Sequence, residues 1–189
     1  MDKLKTSHKL LHSFCIRPQT RFEAQNDKEE VLLVLRAHPI TLLRTFINTL
    51  ALFFILFFVN FFFPSFLNIS QIIFINIFFL VFLVNYVWFG FINWYFNVGI
   101  VTNQRVVDVD FNVILYKEVT YTLISHIEDV TAKTGGFLES VFNFGNLFIQ
   151  TAGTETNTEF LNIPHPSSAA KIINSIIQSQ SNPHGNHIA

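Results

Sequence analysis

Between Thr45 and Gln104 the chain holds no Asp, Glu, Lys, Arg or His, although charged residues crowd both flanks. Within this stretch, Thr45–Phe63 and Ile69–Ile92 are nearly unbroken Phe, Ile, Leu and Val, separated by Pro64-Ser65-Phe66-Leu67-Asn68. A hydrocarbon layer of about 30 Å takes roughly 20 apolar residues at about 1.5 Å each, and both runs have that length. A helix of a soluble protein must show water a polar face, and neither run has one. The stretch therefore reads as a two-helix transmembrane hairpin over 39–93, with spans of about 40–63 and 69–92.

The hairpin divides the 189 residues into an N-terminal arm, 1–38, and a C-terminal part, of which only the second is long enough for a domain core. The net charge of −1 conceals an asymmetry. Basic residues dominate the arm, with Arg36 and Arg44 beside the first span, whereas acids outnumber bases from Arg105 onward. Basic flanks favour a cytoplasmic N-terminus, and two spans return the C-terminus to the same side. The expected location is the inner (cytoplasmic) membrane, with only the uncharged turn outside. A lone cysteine, Cys15, can form no internal disulfide. The first apolar run begins too far in, and lacks the small-residue cleavage site, for a signal peptide.

Arg36, Arg44, Trp88, Trp94 and Tyr95 fall where the spans meet the headgroups and are the expected membrane-interface anchors. Four asparagines interrupt the spans. Asn48 with Asn85, and Asn60 with Asn76, would lie at similar depths in an antiparallel hairpin. Nine residues between Asn76 and Asn85 amount to about 180° around a helix, so both pairs cannot centre on one interface. One pair is expected to pack, and Asn48–Asn85 is taken as the interhelical polar pair.

Beyond Asn93 the period shifts to two. Strands are expected over Trp94–Val101, Arg105–Phe111, one or two within Val113–Leu123, and over Ile127–Lys133, Asn146–Thr151 and Thr158–Ile163, with a helical turn over Phe137–Val141. In the second strand Val107, Val109 and Phe111 are expected to face in and Asp108 and Asp110 out. Ser167 would cap a terminal helix whose Ala169, Ala170, Ile172, Ile173, Ile176 and Ile177 recur every three or four residues. The arm is expected to be partly disordered, the domain to span 94–180, and 181–189 to be a disordered tail. The fold class is an α+β membrane protein: a bent antiparallel sheet or small barrel, closed by a C-terminal helix, after the hairpin.

Several segments, in this order, resemble the bacterial pleckstrin-homology-like (bacterial PH) domain family, in its membrane-flanked form. They are Arg36-Ala37-His38-Pro39 before the first span, Val101-Thr102-Asn103-Gln104-Arg105-Val106-Val107 after the second, Ile127-Glu128-Asp129-Val130, Gly136-Phe137-Leu138, Phe144-Gly145-Asn146-Leu147 and Asn162-Ile163-Pro164. The resemblance implies a PH-like fold and no particular activity. Phosphoinositide binding does not carry over, because no basic loop cluster answers to it.

Catalytic chemistry finds little support. Ser125-His126 with Asp129 has the residue types of a hydrolase triad, but neighbours on one strand alternate faces. His165, His184 and His187 lack the companions of a metal site, and Gly135-Gly136 and Gly145 are followed by no Gly-Lys-Ser/Thr. No catalytic residue, cofactor or metal is expected, and the acidic domain disfavours nucleic acid. For Arg105 two roles are open: meeting a lipid headgroup, or pairing with Asp108, Asp110 or a neighbouring strand's acid to hold the fold. The reading is a non-enzymatic interaction or assembly module whose partners are the bilayer and a protein or a second copy. The alternatives are a lipid- or stress-responsive sensor, or a transporter or channel subunit; the absence of intramembrane ionisable residues weighs against the last.

Overall fold

A computed structural model describes residues 13–18, 21–22, 24–64, 66–112, 116–152 and 157–181. Of the expected tail, 181–189, Ser181 ends the last helix, and 182–189, with His184 and His187, lie outside the described residues. The chain divides into two compact units, one of residues 39–95 and one that combines 1–38 with 96–189.

The first unit is the helical hairpin. Pro39–Thr41 forms a single 3-10 turn, followed by α1 (Leu42–Phe62) and α2 (Ile69–Phe96). The two helical segments have mean hydropathies of 2.1 and 2.4 and are long and apolar enough to cross a membrane. Their seam is polar near the turn: Asn60 Nδ2 donates to Asn76 Oδ1 (3.0 Å) and Asn76 Nδ2 donates back to Asn60 Oδ1 (2.9 Å). At the other end Gly90 lets α2 approach Thr45, whose methyl would stand 3.0 Å from a Cβ placed there. The expected Asn48–Asn85 pair is not formed. Asn48 donates to the Tyr86 hydroxyl (3.0 Å), and Asn85 donates to the Val81 carbonyl of its own helix (2.8 Å). With Asn76 turned toward α1, Asn85 is half a turn away from the seam. α2 also runs to Phe96, past the expected strand start at Trp94, and the chain becomes extended only after Asn97.

The second unit consists of two antiparallel sheets and a closing helix. The larger sheet has the order β1 (Phe14–Ile16), β2 (Val31–Leu35), β3 (Val98–Thr102), β4 (Arg105–Asn112) and β5 (Tyr116–Leu123). The smaller holds β6 (Ile127–Lys133), β7 (Phe144–Thr151) and β8 (Thr158–Pro164), with α3 (Phe137–Phe142) between β6 and β7. The last element, α4 (Pro166–Ser181), starts one residue before the expected Ser167 cap, with proline in the first turn, where its missing N–H is no loss. One core joins these layers: Leu33, Leu35, Val101 and Val106 meet Leu147, Ile149, Phe160, Ile163, Ala169 and Ile173.

Two features differ from the expected arrangement. First, the sheet is not confined to 94–180: β1 and β2 of the arm extend it, with Leu33 opposite Val101 and Leu35 opposite Gly99. Leu33 and Leu35 are both 0% exposed, and full burial of such side chains contributes about 1.5–3 kcal/mol each. Against a typical domain stability of about 5–15 kcal/mol, these two arm residues matter to the whole unit. Second, the faces of β4 are reversed. Pairing sets Val106 opposite the buried Val101 and Asp108 opposite Gly99, where a Cβ would collide with the Phe160 ring. Val106 and Asp108 therefore share the core-side face, while Val107, Val109 and Phe111 take the other, where Phe111 packs on Phe96 (centroids 5.2 Å apart). Two adjacent valines, Val106 and Val107, left the phase of the alternation ambiguous, and both are buried.

Candidate functional site

Thr102-Asn103-Gln104-Arg105 turns β3 into β4 and carries unusual polar chemistry. The Thr102 hydroxyl accepts the backbone N–H groups of Gln104 (3.1 Å) and Arg105 (2.9 Å), which closes the turn. The same hydroxyl donates to the Glu29 carboxylate at 2.8 Å. Arg105 meets that carboxylate in a two-point fork: Nε to Oε1 and Nη2 to Oε2, both 3.0 Å. Asn26 N–H supplies a further donor at 3.0 Å. The Glu29 side chain is 0% exposed and that of Arg105 18%. Burial works against the charged carboxylate, but the hydrogen bonds from Arg105, Asn26 and Thr102 outweigh it and hold Glu29 below its ordinary range. Glu29 in turn raises Arg105.

Around this ion pair the turn grips the arm. Asn103 accepts the Glu30 N–H (3.0 Å) and donates to the Lys28 carbonyl (3.2 Å), and Gln104 accepts from Asn26 (3.1 Å). The guanidinium carbon also lies 4.8 Å from the centre of the Tyr121 ring. Arg105 is thus a fastener between arm and domain. Its acid is Glu29 of the arm, not Asp108 or Asp110.

A second constellation surrounds His38, the last residue before the 3-10 turn of the hairpin. Its N–H donates to the Asn162 carbonyl (2.7 Å), and its ring stacks on Phe144 at 5.3 Å, with Phe142 at 6.5 Å. One residue earlier in the chain, the Ala37 carbonyl accepts the Ser13 hydroxyl (2.9 Å). Burial and the nearby His165 both lower the His38 pKa. His165 shares a 2.8 Å hydrogen bond with Asn143. Asn143, Asn162 and His165 all have φ between 51° and 55°, which asparagine tolerates better than most residues.

Beside this constellation stands α3. Phe137, Leu138, Val141 and Phe142 occupy one side of the helix and are exposed, Phe137 by 82%. Glu139 turns back to accept the Gly135 N–H at 2.7 Å, and Asn143 ends the helix in the left-handed conformation.

Among the other expected anchors, Arg44 is exposed in the first turn of α1 and Trp88 is exposed on α2. Trp94 is only 6% exposed, its ring tilted against Phe91 at 6.0 Å, and Tyr95 stacks on Phe91 at 5.9 Å. Arg36 follows β2, its N–H donating to the Ser13 carbonyl (2.9 Å). Ser125 and His126 sit exposed in a 3-10 turn, and the Asp129 carboxylate accepts the Thr131 hydroxyl (2.7 Å).

On the core-side face of β4, Asp108 is half-buried and its carboxyl is pushed up to about 7, by burial first and then by Asp110 and Glu118. A carboxyl in that position escaped notice because alternation assigned it to water.

Compared with known protein families, residues 49–177 match the model described as Bacterial PH domain. The chain belongs to the bacterial PH domain family. No curated protein and no solved structure matched it. The family match begins inside α1 and ends inside α4, so β3 to β8 of the bacterial PH domain lie within it. β1, β2 and the Glu29 loop lie outside the matched range, yet they complete the larger sheet and occupy the first turn of the domain.

Proposed function

We propose that this chain is a membrane-anchored bacterial PH domain protein, a non-enzymatic interaction or assembly module held at the cytoplasmic face of the inner membrane. One observation carries the reading: strands from both sides of the hairpin pair in one sheet, Leu33 with Val101. A domain closed across both ends of a membrane hairpin is tethered at two points, which suits a fixed platform better than a mobile head. Arg36 and Arg44 beside the first helix support the cytoplasmic side. A protein or a second copy is the proposed partner, bound on a strand edge or apolar surface of the domain.

Crosslinking in native membranes followed by mass spectrometry tests this. A reproducible protein adduct on the domain is the expected result. Adducts to lipid alone would replace the reading with that of a lipid-responsive sensor. Cysteine labelling from either side of sealed membranes checks the topology, and a domain reached only from outside would refute it.

A further inference from the structure

We infer that α3 is a membrane-inserting wedge, its apolar side seated in the headgroup–acyl boundary of the bilayer that holds the hairpin. This rests on the membrane anchoring proposed above. Six residues of helix carry four large apolar side chains on one side, and Leu161 of β8 is 53% exposed as well. So dense a cluster on a small domain calls for a cover. The nearest apolar medium follows from chain continuity. Phe142 lies 6.5 Å from the His38 ring, and His38 is joined by one peptide bond to Pro39, the first residue of the candidate span. Asn162, next to Leu161, accepts the His38 N–H. The exposed cluster therefore has its Phe142 end beside the residue from which the chain enters the candidate span.

The remaining residues of α3 suit this placement. Glu139 is on the other side of the helix, its carboxylate engaged by Gly135 N–H, so no charge from α3 need enter the boundary layer. Phenylalanine and leucine on one side of a helix, with polar groups opposite, is the pattern of interfacial helices. The partner is thus a lipid surface.

The test uses the full chain, with Cys15→Ala, reconstituted in phosphatidylethanolamine–phosphatidylglycerol vesicles. Single cysteines carrying nitroxide labels replace Phe137, Glu128 (exposed on β6) and Phe74 (71% exposed on α2). Accessibility to oxygen, which concentrates in lipid, is compared with that to a water-soluble nickel chelate. The Phe137 label should be several-fold less accessible to the chelate than the Glu128 label, with the oxygen preference of a shallow bilayer site. If the Phe137 label is as open to the chelate as the Glu128 label, while the Phe74 label reads as lipid-embedded, the wedge is refuted and the anchoring stands. A Phe74 label open to the chelate would instead refute the anchoring. A Phe137 label that is water-exposed in pure lipid but shielded in native membranes would assign the surface to a protein and overturn the proposal.

Discussion

Replacing Arg105 by Gln should loosen the arm from the domain. The Glu29 carboxylate is fully enclosed and receives the guanidinium fork together with Asn26 N–H and the Thr102 hydroxyl. Breaking a buried pair by removing one partner costs about 3–5 kcal/mol, because the remaining charge is left without a counterion. Arg105 is 18% exposed and two other donors persist, which places the expected loss near about 3 kcal/mol. The double variant Glu29→Gln/Arg105→Gln removes the orphaned charge and should be more stable than Arg105→Gln alone. A double-mutant cycle on nanodisc-embedded protein, followed by urea unfolding and by hydrogen exchange at Val31–Leu35, reads both effects. Exchange at those amides should accelerate most in Arg105→Gln. The pH dependence has a fixed sign: Glu29 titrates lower in the folded chain than in the unfolded one. Its contribution is present above the unfolded value of 4.5 and fades as pH falls through the lower folded value. Strict additivity in the cycle, or an Arg105→Gln protein within about 0.5 kcal/mol of the parent, would refute the fastener.

Two further predictions concern side chains that the structure places against expectation. Asp108 titrates near 7 in the folded domain against 3.8 for a free carboxyl, so the folded state holds the extra proton and stability declines as pH rises between those values. Asp108→Asn should therefore stabilise the domain by about 1–2 kcal/mol at pH 8, after discounting for its partial exposure, and by little at pH 4; a pH-independent effect in thermal unfolding would show that the carboxyl is not perturbed. In the hairpin, leucine substitutions at Asn60 and Asn76 should couple by about 0.5–2 kcal/mol in a steric-trap or detergent-unfolding cycle, while those at Asn48 and Asn85 should add independently. The reverse pattern would mean that the seam is rotated by half a turn.

What local chemistry decides was legible in the sequence. Two uninterrupted apolar runs of span length, without the alternation of a strand, satisfy their backbone by becoming helical, and Pro64–Asn68 marks the turn between them. The apolar stripe of α4 follows from period, because the helix has a single face to bury, and Ile127–Lys133 was legible as a strand although a bulge after Ile127 breaks its alternation. The Val101–Arg105 segment and its companions resembled a family to which the chain does belong.

Tertiary structure alone decided the rest. β2 pairs with a strand on the far side of the hairpin, and a five-residue apolar run contains nothing that names so distant a partner. Arg105 found its acid in the arm for the same reason, since ion pairing depends on distance in space and not on position along the chain. Of two asparagine pairs at matched depth, helix rotation chose Asn60–Asn76. On β4, with valines on both faces, the register against Gly99 and Phe160 turned Asp108 toward the core. In each case the residues were in view, and which of them met was set by packing between segments that no local pattern connects.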